Sequence, residues 1–289
     1  MCEREQGDER SKPFDWMVNR RQFAIGAMGG LALCASGARA ASEEGLVENR
    51  VEIPIKDGVM DAFFVRPAQG KSPAILTWPD IAGLREAFEV MARRLARQGY
   101  AVLVVNPYYR AAAAPQFRDF SDFRAQGGFE KAGAWRAALT ADAIQRDAKA
   151  AIAWLDQQKE VDTSRGVGTH GYCMGGPFTV WTAAAVPERV RAAASLHGGG
   201  LVVPDAAKSP HKLLGDTKAR FLFAIGQDDD AKAPEVKTAL KEAAAKTGRT
   251  AEVEVYPANH GWTVIDSPAY DNPAAERAWA QMSALFQTL

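Results

Sequence analysis

The chain has little cysteine, little histidine and no net charge. Its 289 residues include three cysteines and four histidines, and 35 basic residues are balanced by 35 acidic ones. A neutral balance provides no electrostatic attraction to nucleic acid or to anionic lipid, so neither partner is expected. The sequence also has no repeated unit and no Gly/Ser/Pro-rich linker, which favours one folded domain over residues 41–289.

A long hydrophobic run is also missing. Near the N-terminus, residues 19–40 read NRRQFAIGAMGGLALCASGARA, and the apolar part is about 14 residues long, against the ~20 that a membrane-spanning helix needs. The pair Arg20-Arg21 before it resembles a twin-arginine signal, and Ala38-Arg39-Ala40 is typical of a cleavage site. We therefore predict a cleaved signal peptide over residues 1–40, export to the periplasm and a mature chain without a membrane span. A short membrane anchor is one alternative; a lipoprotein site at Cys34 is a weaker one, because Leu33 is bulky where such sites usually carry a small residue.

Cleavage would remove Cys2 and Cys34 and leave Cys173 as the only thiol. An exported protein with one cysteine forms no internal disulfide, so that thiol is either free and reactive or linked to another chain. Cys173 lies in the pattern G-x-C-x-G, formed with Gly171 and Gly175, between a predicted strand and a predicted helix. This is the nucleophile-elbow pattern with sulfur in place of oxygen. The glycines would permit close backbone approach, and the N–H of Met174 would stabilise an oxyanion. A buried, inert cysteine is the alternative.

Predicted strands and helices alternate through most of the mature chain. The strands are expected at 51–55, 60–67, 72–80, 101–109, 166–173, 190–199, 219–229 and 251–257, and the helices at 85–100, 140–158, 175–185, 234–248 and 272–287. Such alternation predicts an α/β fold, with a mostly parallel sheet covered by helices on both faces. Residues 111–139 interrupt the pattern and are interpreted as a surface insertion or lid.

A cysteine nucleophile needs a base, which follows it in the chain order nucleophile, acid, base. His260, in YPANHGW just past the last predicted strand, fits this order better than His197, in SLHGG. His170 precedes the elbow within a strand and is expected to be a packed core residue. His211 lies in a Lys/Pro-rich stretch and is expected to be exposed.

The acid is expected in GQDDD, which ends the strand before the base. Of the three aspartates, Asp228 follows the strand most closely and is the predicted partner of the base. Asp229 and Asp230 remain alternatives, because successive aspartates also occur in solvated turns and at helix N-termini.

The segments GYCMGG, GQD and HGW, in this order, resemble the dienelactone hydrolase family of the α/β-hydrolase superfamily, and the resemblance covers nearly all of residues 50–289. It implies a catalytic triad of Cys173, His260 and Asp228. It also implies that an acidic residue after the third strand, here Asp80, contacts the resting cysteine, and that Ile81 supplies a second oxyanion N–H.

The resemblance further implies a substrate carboxylate held by two arginines. Arg110 matches the first, but Val264 stands at the second position, and an aliphatic side chain does not replace a bidentate arginine. Arg110 could instead pair with an acidic residue of the chain. Four aromatic residues are expected to line an apolar substrate pocket: Trp78, Tyr108, Tyr109 and Trp262. Simple core packing of these residues is the alternative.

These features predict a hydrolase that cleaves carboxylic esters or lactones, including dienelactone-like enol lactones, through a thioester on Cys173. We expect a monomer that acts on a small molecule with no cofactor and no metal. Three alternatives remain open: a general carboxylesterase with neutral substrates, a thiol-redox protein, and a non-catalytic binding protein on the same scaffold.

Overall fold

A computed structural model of the chain describes residues 45–289, so the signal peptide predicted over residues 1–40 lies outside the described residues. The strands are β1 Leu46–Ile55, β2 Gly58–Pro67, β3 Ala74–Trp78, β4 Ala101–Val105, β5 Val167–Tyr172, β6 Val190–Leu196, β7 Arg220–Gly226 and β8 Ala251–Tyr256. The helices are α1 Glu86–Arg97, α2 Phe120–Ala125, α3 Gly128–Arg136, α4 Ala141–Asp156, α5 Gly176–Ala185, α6 Gln227–Lys232, α7 Glu235–Thr247 and α8 Asn272–Phe286. Short 3-10 helices span Cys173–Gly175 and Pro210–Asp216.

The strands form one eight-stranded sheet in the order β1-β2-β4-β3-β5-β6-β7-β8. The hairpin β1–β2 pairs antiparallel, β2 joins β4 antiparallel, and every pairing from β4 to β8 is parallel. Strands β3, β4 and β5 are buried at every position, as expected for parallel strands covered on both faces. The predicted α/β-hydrolase fold is confirmed.

Helices cover the two faces of the sheet with separate apolar layers. On one face α4 contributes Ile144 and Ile152, and α5 contributes Phe178. On the other face α1 contributes Leu95 and α8 contributes Met282. Burial of these apolar side chains stabilises the sheet from both sides, because each face is removed from water.

The insertion predicted at 111–139 contains α2 and α3. Phe117, Phe123 and Ala132 are buried in it, and the rings of Phe117 and Phe123 pack edge to face at 5.1 Å. The segment is therefore folded onto one of the apolar layers through its aromatic side chains.

The predicted strand 219–229 is shorter in the structure. It ends at Gly226, and α6 begins at Gln227 with the three aspartates in its first turn. Acidic side chains favour that position because the N-terminus of a helix carries partial positive charge. This boundary decides which aspartate reaches the base.

The residues singled out in the sequence follow the carboxyl ends of parallel strands. Asp80 follows β3, Cys173 follows β5, His197 follows β6 and His260 follows β8. Carboxyl ends of parallel strands meet at one edge of the sheet, which is where open α/β folds place their sites.

Within residues 45–289 no helix combines the length and apolar character needed to cross a membrane.

Candidate active site

Cys173 occupies a strained turn at the end of β5. Its φ is 51°, in the left-handed region that non-glycine residues rarely adopt, and its side chain is partly exposed. A Cβ on Gly175 would lie 2.5 Å from the carbonyl oxygen of Trp78, and a Cβ on Gly171 would collide with the backbone of Gly175. The glycines that flank the cysteine are thus required by close backbone packing, as the elbow pattern predicts.

His260 joins Cys173 to an aspartate. Its Nδ1 lies 2.7 Å from Oδ2 of Asp229. Because an ionised carboxylate only accepts, Nδ1 donates to Asp229, and Nε2 is left for the Cys173 side chain, which interacts electrostatically with His260. His260 therefore lies between the Cys173 side chain and the carboxylate of Asp229.

The contact expected of Asp228 is made by Asp229. Asp228 Oδ1 instead accepts from the backbone N–H of His260 at 2.7 Å, and Asp230 pairs with Lys237 at 2.7 Å. The physical reason is that all three lie in the first turn of α6, where successive side chains point in directions about 100° apart. Asp229 was one of the alternatives left open by the sequence.

The electrostatics of His260 reflect its two side-chain partners. Burial acts to lower the pKa of His260, but the hydrogen bonds with Asp229 and Cys173, and the negative charges of those groups, raise it to about 10. A protonated imidazole beside sulfur stabilises the thiolate, which is the nucleophilic form of cysteine.

His197 lies beneath the elbow and not in the position of the base. It is buried, its Nδ1 lies 3.1 Å from the backbone nitrogen of Cys173, and its Nε2 lies 2.8 Å from Oγ1 of Thr263. Burial, and then the charge of His260, hold the pKa of His197 well below its ordinary value. The sequence analysis identified His197 only as a second candidate for the base. Its contact with the cysteine backbone was not foreseen.

The two residues expected to supply oxyanion N–H groups are tied together by Tyr108. Its Oη donates to the carbonyl oxygen of Ile81 at 2.9 Å and lies 3.2 Å from Sδ of Met174. Tyr108 is buried and packs behind these two residues. It does not line the open pocket that was expected from the sequence; core packing was the alternative. Met174 is the second residue of the 3-10 turn that begins at Cys173, and the first N–H groups of a helical turn have no partner within it.

Asp80 does not make the contact expected with the resting cysteine. Arg85 donates to both of its carboxylate oxygens, at 2.7 and 3.0 Å, and the backbone N–H of Ala82 donates to Oδ1 at 2.9 Å. Arg85 is fully buried and also donates twice to Asp266, at 2.7 Å each. Phe120 of α2 donates its backbone N–H to the same Asp266. Asp80 thus belongs to a buried ion-pair network, which we call the Arg85 clamp (Asp80, Arg85, Asp266).

Arg110 pairs with acidic residues of the chain. Its guanidinium donates to both oxygens of Asp147, at 2.8 and 2.7 Å, and to Asp57 at 3.2 Å. Tyr109 donates to the same Asp147 at 2.9 Å. The predicted substrate contacts of Tyr109 and Arg110 are therefore replaced by internal ones, which was the alternative for Arg110.

Trp78 and Trp262 are core residues and do not line an exposed pocket. Both are fully buried. Trp78 packs edge to face on Phe178 at 5.6 Å and donates to Thr182 at 3.0 Å. Trp262 stacks on Tyr256 at 5.2 Å. Trp78 belongs to the apolar layer that α4 and α5 cover, and Trp262 belongs to the layer that α1 and α8 cover. The sequence left core packing open as the alternative.

Comparison with known proteins agrees with this geometry. The model of the dienelactone hydrolase family matches residues 60–289. This chain belongs to the dienelactone hydrolase family. A relative from Methylorubrum extorquens, named "Putative carboxymethylenebutenolidase", is 30% identical over 253 residues, covering 86% of this chain and 83% of the relative. A protein of the same name from Escherichia coli K12 is 26% identical over 255 residues, covering 85% and 88%.

A solved structure shares the fold. The crystal structure named as a "Putative Dienelactone Hydrolase" from Klebsiella pneumoniae subsp. pneumoniae superposes with a TM-score of 0.70 at 23% identity, covering 84% of this chain and 99% of that one. The family match and the two relatives named above show that this protein is a hydrolase of ester or lactone bonds. Val264, which stands where the resemblance implies a second carboxylate-binding arginine, is buried. Within residues 45–289, no group of three or more histidine, cysteine or acidic side chains is arranged to hold a metal ion.

Proposed function

We propose that this protein hydrolyses carboxylic esters or lactones, including enol lactones of the dienelactone type, through a thioester on Cys173. The observation that carries the proposal is the chain of contacts at the elbow. The strained Cys173 interacts electrostatically with His260, and His260 is hydrogen-bonded to Asp229. The names of the two relatives and the family match support the same reaction class.

The reaction begins with the thiolate of Cys173 paired with protonated His260. Sulfur attacks the substrate carbonyl carbon, and the N–H groups of Ile81 and Met174 stabilise the oxyanion that forms. The carbon–oxygen bond to the leaving group breaks, and His260 gives its proton to the departing oxygen. Neutral His260, oriented by Asp229, then takes a proton from water as the water attacks the thioester carbonyl. Release of the acid restores the thiolate and the protonated imidazole.

A sulfur nucleophile restricts the leaving group. Thiolate departs from a tetrahedral intermediate more readily than a simple alkoxide does, so esters of plain alcohols tend to return to substrate. Enolates and phenolates compete better with sulfur. We therefore expect enol lactones and aryl esters to react faster than alkyl esters.

Trapping the intermediate tests this proposal. The purified protein is mixed with an aryl ester or an enol lactone, and the reaction is quenched within one turnover. The mass of the intact protein is then measured by mass spectrometry. We expect an added acyl group that maps to Cys173 and is released by hydroxylamine, and we expect Cys173→Ala to lose both the adduct and the turnover. Full turnover by Cys173→Ala would overturn the proposal. Ester binding without turnover would favour a binding protein, and peroxide reduction without ester turnover would favour redox chemistry.

A second candidate concerns substrate charge. The guanidinium of Arg110 is held by Asp147 and Asp57, that of Arg85 is held inside the Arg85 clamp, and Val264 is aliphatic. A carboxylate on the substrate would have to displace one of these ion pairs, so the geometry favours neutral substrates. Kinetics on a free acid and its methyl ester, with the same scissile bond, would test this. We expect the methyl ester to have the higher kcat/KM. Arg110→Met should lower kcat/KM by the same factor for the free acid and for its methyl ester.

Export and a monomeric state are further parts of the proposal. Arg20-Arg21 and the Ala38-Arg39-Ala40 site support export by the twin-arginine route. Residues 1–44 fused to a reporter should direct it to the periplasm, and changing both arginines to lysine should stop this. We also propose a monomer, and light scattering on the purified protein checks it.

A further inference from the structure

Two strained residues of the site are hydrogen-bonded to each other. Within residues 45–289, Cys173 and His197 are the only non-glycine residues with positive φ, at 51° and 41°. The backbone N–H of Cys173 donates to Nδ1 of His197 at 3.1 Å, and the N–H of Gly199 donates to the carbonyl oxygen of Cys173 at 3.3 Å. The segment that begins at His197 therefore holds both backbone polar groups of the cysteine. Strained conformations persist only where the surroundings over-determine them.

The hydrogen bonds fix the tautomer of His197. A backbone N–H can only donate, so Nδ1 of His197 carries no proton. The ring proton must then be on Nε2, which donates to Oγ1 of Thr263 at 2.8 Å. The ring is buried and stays neutral. With both nitrogens engaged, His197 can neither take a proton from the substrate nor rotate without breaking a bond.

His197 also reaches the loop of the base. Thr263 lies three residues after His260, and the rings of His197 and His260 pack edge to face at 4.9 Å. The position of His197 is held from behind by glycine packing, since a Cβ on Gly198 would lie 3.0 Å from Cα of Gly176 at the start of α5. One side chain thus connects the backbone of the nucleophile to the loop that carries the base.

We propose that His197 is a positioning residue that sets the nucleophile of Cys173 against the base His260 through a neutral imidazole of one fixed tautomer. The proposal rests on the proposed function of Cys173. By occupying the N–H of Cys173, His197 also leaves the N–H of Met174 as the elbow's donor to the oxyanion. A misplacement of either reacting group costs rate because the reaction needs a near-attack geometry.

Three variants and a control test the proposal. His197→Phe keeps a ring but removes the acceptor. His197→Asn restores it, because Oδ1 of asparagine takes the place of Nδ1 and asparagine tolerates positive φ. Thr263→Val keeps His197 but removes its acceptor partner, and it remains informative if His197→Phe does not fold. His211→Phe is the control, because His211 contacts Ser209 and none of the residues of the elbow.

Each variant is assayed for kcat and KM, normalised to the thiol titrated per folded chain, and for the rate of Cys173 alkylation by iodoacetamide. We expect His197→Phe to lower kcat by about 10–100-fold with little change in KM, and His197→Asn to recover most of that loss. Thr263→Val should lower kcat by a smaller factor, and His211→Phe should match the parent. Long-range 1H–15N spectra of the parent should show Nδ1 of His197 unprotonated at every pH where the protein is folded.

The contrary results are equally definite. A normalised kcat of His197→Phe within twofold of the parent, or equal losses in His197→Asn and His197→Phe, would overturn the positioning role. Failure of the proposed function is distinguished by Cys173→Ala, which would then retain turnover. The alkylation rate and the tautomer would still report whether His197 positions the cysteine, because neither measurement uses an ester.

Discussion

Two neighbouring aspartates approach His260 in different ways. Asp229 accepts from the imidazole, whereas Asp228 accepts from the backbone N–H of the same residue. The first contact orients and charges the ring, and the second fixes the loop that carries it. Adjacent residues of one type therefore support the base through separate bonds.

Exchanging each carboxylate for an amide separates these contributions. Asp229→Asn should lower kcat by about 10²–10⁴-fold, because the neutral amide no longer favours the protonated, correctly oriented imidazole. Asp228→Asn should change kcat little, since the amide oxygen still accepts from the backbone N–H. Steady-state kinetics on the two purified variants checks this. Equal losses, or a larger loss in Asp228→Asn, would return the orienting role to Asp228.

Residue type and chain order were enough to single out Cys173 and His260 as the predicted nucleophile and base. They could not choose among three aspartates, because that choice depends on where β7 ends and α6 begins. The contacts of His197 could not be foreseen either, since they join it to residues 24 and 66 positions away. Nor could sequence show that Trp78 and Trp262 are core residues, because burial depends on the packing of distant segments.

At the scale of elements, the strand-to-helix turn at Cys173 has almost no free space. Gly171 and Gly175 approach neighbouring backbone so closely that a methyl group does not fit. The sequence pattern predicted this turn well, because its constraint is local. The ends of α1 and α7, which are followed by Gly99 and Gly248 with positive φ, were predictable for the same reason.

A pair of glycine substitutions measures that constraint. Gly171→Ala should destabilise the fold by about 1–3 kcal/mol or more, because the added methyl group overpacks the elbow, and it should also lower the cysteine-dependent activity. Gly133→Ala in α3 is the control: it meets no atom within 4 Å and should stabilise by up to about 1 kcal/mol. Urea unfolding of both variants checks this, and an unchanged Gly171→Ala would contradict the close packing described.

The Arg85 clamp joins three segments at this scale. Asp80 follows β3, Asp266 lies in the loop after His260, and the N–H of Phe120 ties α2 to Asp266. Its longest bonds span 181 residues of sequence, so no local pattern indicates it. The clamp therefore fixes the turn that carries Ile81 against the loop of the base.

Removing the central cation of the clamp should be costly. Arg85→Met leaves two carboxylates without their partner and should destabilise by about 3–5 kcal/mol. Arg118→Met, which breaks an exposed pair with Asp122 in the same insertion, should change the free energy of unfolding little, because solvent screens an exposed ion pair. Denaturant unfolding compares the two. A loss in Arg85→Met no larger than that in Arg118→Met would show that the clamp contributes little.

For the whole molecule, histidines of opposite character shape the dependence of stability on pH. The pKa of His260 is raised to about 10, so the folded chain holds a proton there more tightly than the unfolded chain does. That stabilisation is complete below pH 6.5 and is lost as pH rises through about 10. Burial lowers the pKa of His170 to about 3 and that of His197 well below its ordinary value. Their contribution is present above pH 6.5 and is lost as pH falls.

The free energy of unfolding should accordingly decline on both sides of a maximum near pH 6.5. Cys173→Ala should flatten the alkaline side, because one of the groups that raise the pKa of His260 is removed. It should leave the acid side unchanged. Urea unfolding from about pH 5 to about pH 10 provides the curves. An alkaline limb as steep in Cys173→Ala as in the parent would contradict the coupling between sulfur and imidazole.

The left-handed backbone at Cys173 limits which nucleophiles evolution could place there. Serine differs from cysteine by one atom and has an unbranched Cβ, so an exchange of sulfur for oxygen requires no rebuilding of the turn. Threonine is sterically disfavoured at this position, because a β-branched side chain at positive φ collides with its own backbone. Under the proposed mechanism, the fold can therefore change from thioester to oxygen-ester chemistry in one mutational step, but the same elbow does not accommodate a threonine nucleophile.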